Sequence, residues 1–128
     1  LRTLGWNVVG SEDKSRTPGA YRSYLQRSRG EFSVAKNLYV ATQSGWFSCR
    51  SVCYLAAGRP VVLQDTGFSE IIPTGEGLFA FSDEDGAVGA VEAVERDYPR
   101  HHAAARALAA SHFDSGIVLG GLLTRVGL

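Results

Sequence analysis

The sequence has little that would send it to a membrane or to nucleic acid. It has no run of about 18 apolar residues, so no transmembrane helix is predicted. The first residues show no secretory signal pattern. There is no net charge: 13 basic and 13 acidic side chains cancel, which leaves no bulk field to draw nucleic acid or a lipid surface. Basic residues are denser in 1–36 and acidic ones in 76–128. That asymmetry predicts two solvated faces of opposite sign. A nucleic-acid stripe on Arg22, Arg27 and Arg29 is disfavoured, because the nearby aromatics, Tyr21 and Tyr24, fit a core stripe. Cysteine is scarce. Cys49 and Cys53 lie four apart on a predicted helix, where a local disulfide would fight the geometry and no His or further Cys completes a metal site. Both are expected to be packing thiols in a reducing cytoplasm. Methionine is absent. The start at Leu1 predicts a trimmed N-terminus or a piece of a longer chain.

What is present suits one ordinary domain of 128 residues with a real core. Trp6–Val9 reads as a short strand after Gly5, and Gly10–Gly19 as a loop. Tyr21, Tyr24, Leu25 and Ser28 fall at helical spacing within Ala20–Ser28. Glu31–Ala35 alternates as a strand, and Leu38–Val40 has strand composition inside a segment expected to be a functional loop. Phe47–Ala57 reads as a helix stopped by Gly58, and Pro60–Leu63 as a strand covered on both faces. Gly77–Phe81 is a further strand. Ser82 then caps an acidic helix start, with Ala87, Val91, Val94 and Tyr98 as its buried stripe. Pro99 breaks that helix, and two more follow, Arg100–His112 and Ser115–Val126. Alternating strands and helices predict an α/β class: a three-layer, Rossmann-like half domain with a mostly parallel sheet of about four strands and C-terminal helices.

In such a sheet, ligand groups gather at the carboxyl ends of the strands. That sorts the polar residues. Lys36, Ser44, Gly45, Ser48, Asp65, Thr66 and Gly67 follow a strand or open the helix after one, whereas Arg59 precedes a strand and lies at the wrong end. The run Ser44-Gly45-Trp46-Phe47-Ser48 at a helix start presents backbone amides and a hydroxyl suited to a diphosphate, with Arg50 adding charge one turn in. The plainer alternative is that Ser44 or Ser48 only caps the helix. Asp65 and Glu70, around Thr66-Gly67, can accept from the hydroxyls of a sugar; the plainer alternative there is a turn with capping acids. Gly75-Glu76-Gly77 is no dinucleotide fingerprint, because no helix follows it. His101, His102 and His112 lie far along the chain from these loops and are expected to be structural or solvated.

The helix, the Ala57-Gly-Arg-Pro-Val-Val strand, the Asp-Thr-Gly turn, Glu70 and Gly75-Glu-Gly-Leu-Phe-Ala-Phe81 together resemble the C-terminal, donor-binding domain of GT-B glycosyltransferases. Glu31-Phe-Ser-Val-Ala-Lys36 followed by Ser44-Gly-Trp-Phe-Ser-Cys-Arg-Ser51 resembles a bacterial set of these proteins. The likeness runs from about Gly5 to Leu123. It implies a nucleotide-sugar donor, no cofactor and usually no metal, with the Ser44–Ser48 loop at the diphosphate and Asp65–Glu70 near the donor sugar. Family members usually carry Asp where this chain has Cys49, and the acidic residue of the retaining families falls at Cys53, so neither role transfers. The N-terminal acceptor domain of a GT-B enzyme is not in this sequence. The resemblance therefore implies that the chain alone binds without turnover. In the strand order 3-2-1-4-5-6, Trp6–Val9 would be the third strand, and the two strands that separate it from Glu31–Ala35 are missing. Two outcomes are expected: a rearranged first strand, or a homodimer through the open sheet edge.

Overall fold

The computed structural model describes Thr3, Gly5 and residues 7–127. Three short strands form its sheet: β1 (Glu31–Ser33), β2 (Val61–Gln64) and β3 (Leu78–Phe81). Both pairings are parallel, in the order β1-β2-β3, with Phe32 opposite Val62 and Val62 opposite Phe79. The described residues also form seven α-helices: α1 (Glu12–Ser15), α2 (Pro18–Arg27), α3 (Asn37–Ala41), α4 (Cys49–Ala56), α5 (Glu84–Arg96), α6 (Tyr98–His112) and α7 (Ser115–Arg125).

The two-residue period of β2 divides the core. Val61 and Leu63 point to one face, where they meet Leu25 of α2, Tyr54 and Leu55 of α4, and Ala105 and Leu108 of α6. Val62 points to the other, where it meets Phe81 and Ala87, Ala90 and Val94 of α5. A strand buried on both faces must be apolar throughout, and Val61-Val62-Leu63 is. Helix α4 stops as expected at Gly58, which takes φ +69° and donates its amide to the Leu55 carbonyl at 2.8 Å. A Cβ there would lie 2.6 Å from the His102 ring, so the helix stop and α6 pack as one unit.

Several expectations are corrected. The sheet has three strands among the described residues, not about four. Trp6 lies outside the described residues, and Asn7–Val9 are exposed and irregular. Leu38–Val40 is part of α3: the Thr42 amide and hydroxyl both return to the Leu38 carbonyl, closing a helical turn that its apolar composition concealed. The loop expected over Gly10–Gly19 holds α1 and the start of α2. Asp83, not Ser82, caps α5, because its extended backbone brings its carboxylate to 2.8 Å from the Gly86 amide. On α5 the buried residues are Ala87, Ala90 and Val94; Val91 is exposed, and Tyr98 belongs to α6, because α5 ends at Arg96.

Cys49 and Cys53 are exposed thiols, not packing groups. The inward positions of α4 go to Ser51, Tyr54 and Leu55, three and four residues apart, which turns both cysteines outward. Tyr98–Arg125 is long and apolar enough in sum to match a membrane span. It consists of two helices divided at Phe113–Asp114; α6 buries Ala105, Leu108 and Ala109 in the core, whereas α7 leaves Ile117, Leu119 and Leu122 uncovered.

Candidate functional site

A cleft of about 440 Å³ opens at the carboxyl ends of β1 and β2. Its walls come from three places: Ser33–Lys36 at the end of β1 and beyond it, Gln64 and Thr66 at the end of β2 and beyond it, and Trp46, Ser48, Arg50 and Ser51 around the start of α4. Tyr39 of α3 closes one side. This is where a parallel sheet leaves room for a ligand, because the chain turns away from each strand end into its helix.

Two hydrogen bonds join the loop before α4 to the turn after β2. The Gly45 amide donates to the Thr66 carbonyl at 2.7 Å, and the Thr66 hydroxyl donates to the Trp46 carbonyl at 2.8 Å. Thr66 is fully buried, whereas Trp46, whose carbonyl it holds, is exposed. Gly67 follows at φ +93°, a backbone conformation that suits glycine, and a Cβ there would sit 3.1 Å from the Gln43 carbonyl oxygen. The Gln64 side chain accepts from the Ala35 amide at 3.1 Å and fixes the segment after β1.

Of the residues singled out in the sequence, Lys36, Trp46, Ser48, Arg50 and Thr66 line the cleft. The others lie nearby or elsewhere. Ser44 and Gly45 sit one step behind it. The Ser44 hydroxyl accepts from the Trp46 amide at 3.3 Å. Ser48 is the N-cap of α4, its hydroxyl accepting from the Arg50 amide at 3.2 Å. Phe47 turns into the core, against Phe68 and Phe113. Asp65 spends its carboxylate on its own turn, accepting from the Gly67 amide at 2.9 Å and the Ser69 hydroxyl at 2.5 Å. Glu70 is exposed at the end of a 3-10 turn. Arg59, set aside as lying at the wrong end, donates to Tyr98 and to the Gln26 carbonyl, away from the cleft.

Arg50 is already partnered. Its Nε donates to Glu31 Oε1 at 2.6 Å and an Nη to the Ser33 hydroxyl at 3.0 Å. The bond it donates to Glu31 pushes the guanidinium further above the ordinary arginine value, so it stays charged. Glu31 itself is buried, and its Oε2 has no partner among the described residues. The pair is internally neutral. Among the described residues that line the cleft, the other cation is Lys36.

Ser51 was missed by sequence reasoning. It is 0% exposed, its hydroxyl has no partner among the described residues, and it lies on the cleft wall in the first turn of α4. The backbone amides of Cys49 and Ser51, first-turn donors of the same helix, also have no acceptor among the described residues. The signal available was its place three residues after the Ser48 cap, where a helix turns a side chain inward. Among the described residues no group of three or more His, Cys, Asp or Glu is gathered to hold a metal ion. His101 is buried, with Nδ1 accepting from the Gly77 amide at 3.3 Å, and His112 contacts the Ser111 hydroxyl.

No family model, curated protein or solved structure matches this chain.

Proposed function

We propose that this chain is the donor-binding half of a GT-B-like glycosyltransferase, taking the diphosphate of a nucleotide-sugar at the first turn of α4. The observation that carries the reading is Ser51. A buried hydroxyl with no partner forfeits about 1–3 kcal/mol, and a phosphoryl oxygen would restore the bond. The neighbouring unpaired amides of α4 and the positive end of its dipole favour the same anion, and Lys36 supplies a net charge. The parallel run β1-β2-β3 supports a Rossmann-like half domain, since it matches the last three strands of the order 3-2-1-4-5-6. The sequence resemblance adds the sugar and the nucleotide.

On this reading the parent reaction moves a sugar from its nucleotide to an acceptor, without a metal or a further cofactor. The acceptor and the base would come from an N-terminal domain, so the chain alone binds and does not turn over. A cytoplasmic setting goes with two free, exposed thiols. Titration calorimetry with UDP, GDP and TDP tests the reading. Weak binding is expected, and it should weaken further in Ser51→Ala. Silence across the panel from a folded sample overturns it.

A second reading is favoured by β1. Among the described residues no strand lies on its outer side, and Phe32 of β1 and Val34 just past it are exposed. An uncovered edge of this kind pairs with another chain. The alternative is therefore a non-enzymatic assembly module that dimerises through β1. Sedimentation velocity tests it, with a clean monomer at high concentration as the refuting result.

A further inference from the structure

One wall of the cleft is aromatic. Tyr39 and Trp46 stack with their ring centroids 5.0 Å apart and their planes 14° from parallel. The backbone holds both rings in place. The Ser44 amide donates to the Tyr39 carbonyl at 3.2 Å, and the Trp46 carbonyl is clasped by Thr66. Gly45, between the two contacts, sits at φ +70°, a turn that a residue with a Cβ rarely makes. Despite this ordering, Trp46 remains 51% exposed. Tyr39 covers one face of the indole, and the other has no ring partner among the described residues. A large apolar ring, ordered yet half in water on the wall of a polar cleft, is not explained by packing alone.

We infer that the Tyr39–Trp46 pair is a stacking platform for the planar base of the nucleoside diphosphate whose phosphates meet Ser51. This rests on the donor-binding reading for its phosphate end. The cleft has an anion-seeking end, formed by Ser51, the first turn of α4 and Lys36, and a flat aromatic end. A ligand that fills both has a charged end and a planar π-face. A nucleobase meets the second requirement because bases stack on indole whatever their hydrogen-bonding edge. Pre-ordering of the platform by Tyr39 and Thr66 lowers the entropy lost when the base lands. The platform is therefore base-tolerant and contributes affinity more than discrimination.

The test measures GDP, UDP, inorganic pyrophosphate and glucose 1-phosphate by calorimetry against wild type, Trp46→Ala, Trp46→Phe and Ser51→Ala, with circular dichroism as the folding control. Trp46→Ala should raise the Kd of both nucleotides about tenfold, in line with base–aromatic stacking, and leave pyrophosphate unchanged. Trp46→Phe should keep part of the effect. Ser51→Ala should weaken nucleotides and pyrophosphate alike. Three results overturn the platform while leaving the donor-binding reading in place: nucleotide affinity indifferent to Trp46→Ala, pyrophosphate bound as tightly as GDP by wild type, or glucose 1-phosphate as the only ligand weakened by Trp46→Ala. If no nucleotide binds wild type, both readings fall.

Discussion

Thr66 joins the fold to the cleft, and replacing it with valine separates the two contributions. Thr66→Val keeps the volume of a fully buried side chain and deletes only the donor to the Trp46 carbonyl, 2.8 Å away. A typical hydrogen bond is worth about 0.5–1.5 kcal/mol net, with up to about 3 kcal/mol where the orphaned partner stays dry. Water reaches the exposed Trp46 loop, so the expected loss is about 1–2 kcal/mol. For a domain of this size that lowers Tm by roughly 3–8 °C. Thr66→Ser is the counterpart. It keeps the hydroxyl and loses one methyl, costing about 1 kcal/mol with the clasp intact. The discriminating assay is amide hydrogen exchange at Gly45, whose N–H donates to the Thr66 carbonyl. Thr66→Val should speed exchange at Gly45 more than in the core strand β2, whereas Thr66→Ser should leave the ratio of the two rates unchanged. Urea melts should show a lower midpoint with an unchanged slope. A Thr66→Val protein as stable as wild type, with Gly45 still protected, would refute the clasp.

Gly77→Ala should cost about 2–5 kcal/mol in urea melts, because Gly77 sits at φ +73° and a Cβ there would lie 2.7 Å from the Ala105 Cα. Gly75→Ala, with φ +102° but open space around it, should cost less than Gly77→Ala in the same melts. Leu55→Ala, at a 0% exposed position in the main core, should lose about 2–5 kcal/mol of unfolding free energy. Glu95 and Glu76 are held below the ordinary carboxylate value of 4.5 by hydrogen bonds from Arg29 and Arg100. Their stabilisation is therefore full above that value and is lost as pH falls through the lower folded value. Glu95→Gln should flatten the acid side of a stability–pH profile, and added salt should shrink the difference. Val34→Lys, at an exposed position just past β1, should abolish any concentration-dependent dimer in sedimentation without changing the circular dichroism spectrum.

The sequence by itself determined the α/β class, the span of most helices and the side of the sheet on which polar groups gather. Those properties follow from local periodicity, a helix stop at Gly58 and the apolar run of β2, none of which needs distant contacts. It also located the Ser44–Ser48 and Asp65–Gly67 segments that border the cleft. Which of their atoms are free was decided partly by local bonds, as the plainer alternatives of a cap at Ser48 and a turn at Asp65 expected, and partly by tertiary contacts. Asp65 and Ser48 were chosen for their chemistry, but their own turn and helix take up their polar atoms, because a nearby amide is the cheapest partner a side chain can find. Arg50 was expected to face a ligand and instead meets Glu31, 19 residues earlier in the chain, a pairing that exists only once β1 lies beside α4. The place of Ser51 three residues after the Ser48 cap signalled an inward side chain but not an unpartnered one, and the Tyr39–Trp46 stack carried no signal of its own in the sequence. The first is defined by burial without a partner and the second by two loops meeting at Thr66, and both are properties of packed neighbours rather than of residue order.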